Sequence, residues 1–156
     1  MSNSPADAGP GPAESRSASG SARRSRGLSI SAPLAPGEVL DKISILEIKR
    51  ERISDPDRRA NVERELDLLT GLWHASALET AEISHLRSEL RQVNERLWEI
   101  EDEIRDCERR RDFGDRFIEL ARAVYRTNDQ RAAIKRRINE ALDSAIIEEK
   151  SYTAYD

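Results

Sequence analysis

Leu86, Leu90, Val93, Leu97, Ile100, Ile104 and Cys107 recur at alternating steps of four and three, so one long helix carries an unbroken apolar seam. Such a seam is too narrow to enclose a pocket by itself, and it predicts an extended helix that requires a partner helix. Aromatic residues make up only 4% of the 156, which argues against a thick globular core and fits elongated helices better. The expected fold is all-α, centred on an elongated, antiparallel, coiled-coil-like helical hairpin.

Formal net charge is −4 and unevenly divided: Arg16, Arg23, Arg24 and Arg26 against Asp7 and Glu14 leave +2 in residues 1–35 and −6 in the remainder. An acidic body speaks against nucleic-acid binding, because nonspecific affinity for phosphates comes from clustered Lys and Arg that displace counterions. Cys107, the single cysteine, has no intramolecular disulfide partner and reads as a small buried apolar side chain, which suits a reducing compartment. No run approaches the ~18–20 apolar residues of a membrane span, and the first residues lack the apolar run of a secretory signal. The expected location is the cytoplasm.

The chain divides near Pro36. Residues 1–35 form a Ser-, Arg- and Pro-rich tail that cannot bury enough apolar surface to offset its ordering entropy, so it is expected to be disordered. Its last piece, LSISAPLAP, reads as an extended linker. Residues 36–156 are expected to form a helical domain. Its first helix, near Glu38 to Ile53, carries Leu40, Ile43, Leu46 and Ile53 on a stripe that Val39, Ile45 and Ile48 widen, so it seeks burial on two sides. Asp55 and Pro56 supply an N-cap and a first helical position for a second helix, which Gly71 weakens or ends.

Helices three (near Glu82 to Arg110) and four (near Asp115 to Leu142) have equal lengths, each roughly 42 Å at 1.5 Å per residue, which suggests a hairpin. Gly114 is expected to take the left-handed turn conformation and Asp115 to cap helix four. Doubling back there pairs Trp98 with Tyr125, Glu101 with Arg122, and Asn94 with Asn128 or Asp129. Helix four interrupts its own stripe with Thr127, Asn128, Asp129 and Gln130. A polar layer of this kind is read first as a register-fixing lock and second as a small site shared with Asn94, Arg122, Arg126 and Arg131.

The catalytic signals are thin. Glu82 and His85 have the Glu-x-x-His spacing that presents two metal ligands on a helix, but the chain lacks the second such pair a carboxylate-bridged centre requires. Glu99, Glu101, Asp102 and Glu103 fan around a helix as a solvated face. No phosphate loop, zinc spacing or nucleophile elbow is present, so the pattern leans away from an enzyme and assigns no catalytic residue, metal or cofactor.

The strings DKISILEIKRERI (41–53), VNERLWEIEDEIRDCE (93–108), FIELARAVYRTNDQRAAIKRRIN (117–139) and EEKSY (148–152) resemble an uncharacterised bacterial family of small helical proteins. The likeness covers about residues 36–155 and is poor over 54–85. The family has no assigned activity, and the resemblance implies a setting beside systems for surface polysaccharide and glycosyl transfer. Carried onto this chain, its polar positions are Asp41, Lys42, Glu47 and Lys49; Asn94, Trp98, Glu101, Asp102 and Arg105; Tyr125, Asn128, Asp129, Arg131 and Lys135; and Glu148, Glu149, Lys150, Ser151 and Tyr152.

The combined expectation is a non-catalytic interaction or scaffold module in cell-envelope polysaccharide assembly. It binds a protein partner, and self-associates through surplus apolar faces of helix one and the hairpin. The alternative is a small-molecule site in which Asp41, Glu101, Asp102, Asn128, Asp129 and Arg131 hold a phosphorylated sugar or nucleotide sugar, with Arg to phosphate and carboxylates to hydroxyls.

Overall fold

Helix start signals in the sequence become helix N-termini in the computed structural model, which describes residues 30–149 and 151. The tail expected over residues 1–35 lies outside them as far as residue 29. Four helices follow: α1 (Pro36–Arg52), α2 (Pro56–Ser76), α3 (Ala81–Arg110) and α4 (Asp115–Ala141). Asp55 caps α2 by accepting from the Arg58 N–H at 2.8 Å, with Pro56 at the first helical position. Thr80 caps α3 by accepting from the Ile83 N–H at 3.2 Å. Ala35 has no side-chain oxygen to cap α1, and the acceptor comes from another helix: Asn139 Oδ1 on α4 takes the Gly37 N–H at 2.8 Å.

Three local expectations are corrected. Gly71 does not end α2, which runs on to Ser76, because an exposed glycine lowers helix propensity by only about 1 kcal/mol and the flanking turns continue. Arg111 (φ 56°), not Gly114 (φ −74°), takes the left-handed conformation. That position follows the last turn of α3 directly, where the Arg111 and Asp112 N–H groups return to the Glu108 and Cys107 carbonyls. Asp115 is the first residue of α4, and the extended Gly114 precedes it as the cap position.

α1 packs against all three other helices. Leu40, Ile43, Leu46 and Ile48 are at most 3% exposed, so these faces are consumed within the chain. The apolar rows of α1 thus have partners within the chain. α3 and α4 run antiparallel, with Arg116 near the start of α4 against Glu103 late in α3, and Arg137 late in α4 against Glu89 early in α3.

The apolar interior falls into two parts. A larger cluster joins Leu40, Ile43, Val62, Leu66, Trp73, Leu86, Leu90 and Ile138 from all four helices. Toward the α3–α4 turn, a thinner cluster holds only Ile100, Cys107 and Leu120 as fully buried members, with Ile104, Phe117, Ala123 and Val124 half-buried around them. The near half of the α3–α4 pair thus carries α1, with α2 packed on α1, and among the described residues no other helix lies against the far half.

Candidate functional site

One row of α1, Gly37, Asp41, Ser44 and Ile48, is buried at four-three-four spacing, so two polar side chains sit where a seam places apolar ones. Their partner is Asn94, 4% exposed on α3, whose Nδ2 donates to Asp41 Oδ1 at 2.8 Å and to Ser44 Oγ at 2.7 Å. Ser44 Oγ in turn donates to the Asp41 backbone carbonyl at 2.8 Å. Among the described residues every buried side-chain N and O atom has a hydrogen-bond partner. A satisfied layer of this kind pins α1 to α3 in one register, because any slip would bury an unpaired carboxylate and amide.

α4 closes the layer with two cations. Arg131 Nε lies 3.9 Å from Asp41 Oδ2, close enough for attraction and too far for a hydrogen bond. Lys135, 7% exposed, reaches Glu38 on α1 and, at 2.8 Å, Glu148 beyond α4. Burial drives the Lys135 ammonium down, but its hydrogen bonds to Glu148 and Glu38, with the charges of Glu38 and Asp41, outweigh burial and hold its pKa above the ordinary lysine value. A raised folded pKa adds stability that is complete below the unfolded value and lost as pH climbs through the folded one. Urea midpoints are therefore expected to be insensitive to this group from neutrality to about pH 10 and to fall above it. The alkaline fall should be smaller in Lys135→Met, and an identical fall in both proteins would remove the assignment.

Beside this layer lies an open groove of about 450 Å³, lined by Ile45, Asn94, Leu97, Trp98, Glu101, Asp102, Arg105 and Arg131. The structure therefore gathers Asn94, Trp98, Glu101, Asp102, Arg105 and Arg131, all singled out in the sequence, around one space, and two of them, Asn94 and Arg131, also contact Asp41. Glu101 pairs with Arg105 at 3.3 Å, one turn along its own helix and not with Arg122.

Other candidates point elsewhere. Lys42 is exposed and meets Glu65 on α2 at 2.6 Å. Glu47 ties α1 to α3 through Arg87 at 2.8 Å and Arg91 at 3.2 Å, and Arg91 also reaches Glu51 and Glu95. Asn128 does not meet Asn94: its Nδ2 donates to the Val124 carbonyl of its own helix at 3.1 Å, while Asn94 donates to Asp41 and Ser44 on α1. Tyr125 is exposed, Asp129 is half-buried, and Glu149 pairs with Arg136 at 3.2 Å. Lys150 and Tyr152 lie outside the described residues. His85 pairs with Glu89 at 3.2 Å. The residues that sequence reasoning missed are Gly37, Glu38, Ser44 and Asn139, which act through helices far apart in the chain. Ser44, one turn from Asp41 in a run of apolar residues, was the one with a local signal.

Two rows define the flank on which α1 lies. Arg87, Arg91, Asn94, Trp98, Glu101 and Arg105 follow four-three spacing along α3, as do Phe117, Ala121, Val124, Asn128, Arg131 and Lys135 along α4. Arg87, Arg91 and Asn94 of the first row, and Arg131 and Lys135 of the second, are bonded or ion-paired to α1. The remainder of each row lies beyond the polar contacts of α1 and is half-buried or exposed. On the opposite flank the two helices are laced by ion pairs, Glu103 with Arg116 and Glu89 with Arg137.

No curated protein and no solved structure matches the chain. A family model does match, over residues 30–155, and that stretch takes in all four helices, the buried layer and the groove. That match spans well over half of the chain, and the chain belongs to the family of unknown function DUF6165.

Proposed function

We propose that this chain is a non-catalytic interaction module whose recognition surface is the half of the α3–α4 flank that α1 leaves open. One observation carries the reading: each of two helical rows is engaged by α1 over one half and continues, amphipathic and half-buried or exposed among the described residues, over the other. Trp98, Phe117 and Val124 supply apolar area there, and Glu101, Asp102 and Arg105 rim it. Interfaces are commonly built as an apolar centre with a polar rim, and an aromatic anchor often dominates their energy. We propose that such a module works beside cell-envelope polysaccharide assembly, the setting that the sequence resemblance implies.

The test is partner capture with the wild-type chain and with Val124→Asp, followed by re-mixing of the purified components. The expected result is a complex that forms with wild type, is lost with Val124→Asp, and survives Gln130→Asp on the opposite flank. Capture that ignores Val124→Asp would remove the reading.

A second reading rests on Arg131. Its guanidinium approaches Asp41 without a hydrogen bond and lines the groove beside the Trp98 indole, an arrangement suited to a phosphorylated sugar with a hydroxyl between the two charges. A nucleotide sugar that binds there raises the melting temperature, and Arg131→Ala abolishes the rise.

A further inference from the structure

We infer that the partner on the open flank is a second copy of this chain, related by a two-fold axis that runs across α3 and α4 at the level of Ala121. The inference rests on the reading above and deepens it by naming the occupant.

The argument begins with the symmetry of the two rows. On α4 the row Phe117, Ala121, Val124 is apolar and balanced about its smallest member, Ala121. On α3 the adjoining row carries Glu101 and Arg105, opposite charges balanced about residue 103. The pairs Glu103–Arg116 and Glu89–Arg137 put residue 103 opposite the stretch from Arg116 to Ala123, whose centre lies within about half a turn of Ala121. Both midpoints therefore fall within about half a turn of one height, and a single two-fold axis serves both rows. An isologous contact requires this property, a patch complementary to itself under rotation.

The rotation lays α3 antiparallel on its own copy, and α4 likewise. Glu101 then meets Arg105 of the second molecule, and Arg105 meets its Glu101, so the charges complement one another twice. Phe117 meets Val124 of the second molecule and the reverse, and Ala121 meets Ala121 where the helices approach most closely. Tyr125, 39% exposed, joins the apolar row at its edge. The far half of each molecule, with only Ile100, Cys107 and Leu120 fully buried, becomes half of a four-helix bundle and gains the second layer that it lacks alone.

Light scattering across a concentration series is expected to show a dimer. Under mild oxidation Ala121→Cys should give a disulfide-linked dimer, because that residue meets its own copy on the axis. Ala123→Cys, on the ion-paired flank, should not. Glu101→Arg and Arg105→Glu should each weaken association at least tenfold, and the combined swap Glu101→Arg/Arg105→Glu should restore it. Circular dichroism of every variant separates dissociation from unfolding. A folded monomer at all concentrations overturns this inference while leaving the reading above to its own partner-capture test. A dimer that Ala123→Cys links and Ala121→Cys does not, and that ignores Val124→Asp, overturns both. A dimer lost with Val124→Asp but not linked at residue 121 overturns the axis alone.

Discussion

Gly37→Ala should destabilise the fold by about 3 kcal/mol, although the change improves intrinsic helix propensity. A Cβ at residue 37 would stand 2.6 Å from the Lys135 backbone oxygen and 2.9 Å from Asn139 Oδ1, inside van der Waals contact in both cases. The backbone of α4 cannot yield as a side-chain tip does, so α1 must lift away. Overpacking of this kind costs ~1–3 kcal/mol. Lifting also breaks the bond from the Gly37 N–H to Asn139, and an unpaired buried N–H costs a further ~1–3 kcal/mol. Alanine returns roughly 0.5–1 kcal/mol of helix propensity, which does not offset those losses. The melting temperature should fall by about 10–15 °C. Gly71→Ala provides the control, because a Cβ there meets nothing within 4 Å and the same substitution should stabilise α2 by ~0.5–1 kcal/mol. Two chemically identical changes with opposite signs can be read from urea melts. Equal effects at both positions would show that the α1–α4 contact is not close.

That contact also shows what was readable from the sequence and what was not. Periodicity exposed the α3 seam: of its seven positions Leu86, Leu90, Leu97, Ile100 and Cys107 are buried, and Val93 and Ile104 are half-buried. The break at Ser54–Pro56 and the turn after Arg110 were visible because caps and helix ends depend on neighbours in sequence. The width of the apolar face on α1 forecast burial on two sides, and Leu40, Ile43 and Leu46 on one row with Ile48 on the other are enclosed accordingly.

Contacts between distant helices were another matter. Asn94 stands beside the α3 seam as a polar residue, and periodicity states only that such a residue, once buried, needs a partner. It gives no reason to choose Asp41 and Ser44, some fifty positions upstream, over Asn128 across the hairpin. Gly37 and Asn139 are 102 positions apart, and neither shows in sequence that one caps the helix of the other. The groove was partly legible for a related reason. Asn94, Trp98, Glu101 and Arg105 share one face of α3 by spacing alone, whereas Arg131 joins them only because α1 draws both long helices against Asp41.

Asn94→Leu is the sharper test of the buried layer and should cost about 3 kcal/mol. Leucine is near in volume and favours helix, so packing and propensity predict little change. Electrostatics predicts a large one, since the substitution removes the donor that serves both Asp41 and Ser44. Asp41, 6% exposed, then keeps a carboxylate whose remaining partner is Arg131 at 3.9 Å. Stripping one member from a buried hydrogen-bonded charge costs ~3–5 kcal/mol, and the nearby cation reduces that figure here. Removing both members changes the sign of the argument, because paired polar groups replaced together leave no orphan. The double variant Asp41→Leu/Asn94→Leu should therefore fall short of the sum of the single losses by ~1–3 kcal/mol in a double-mutant cycle. Asn128→Leu distinguishes a layer from a merely polar stretch of helix. Among the described residues Asn128 bonds only to the Val124 carbonyl of its own helix, so its loss should stay within about 0.5 kcal/mol. If Asn94→Leu proved as mild as Asn128→Leu, the layer would not be what holds α1 in register, and the division of the flank into covered and open halves would lose its physical cause.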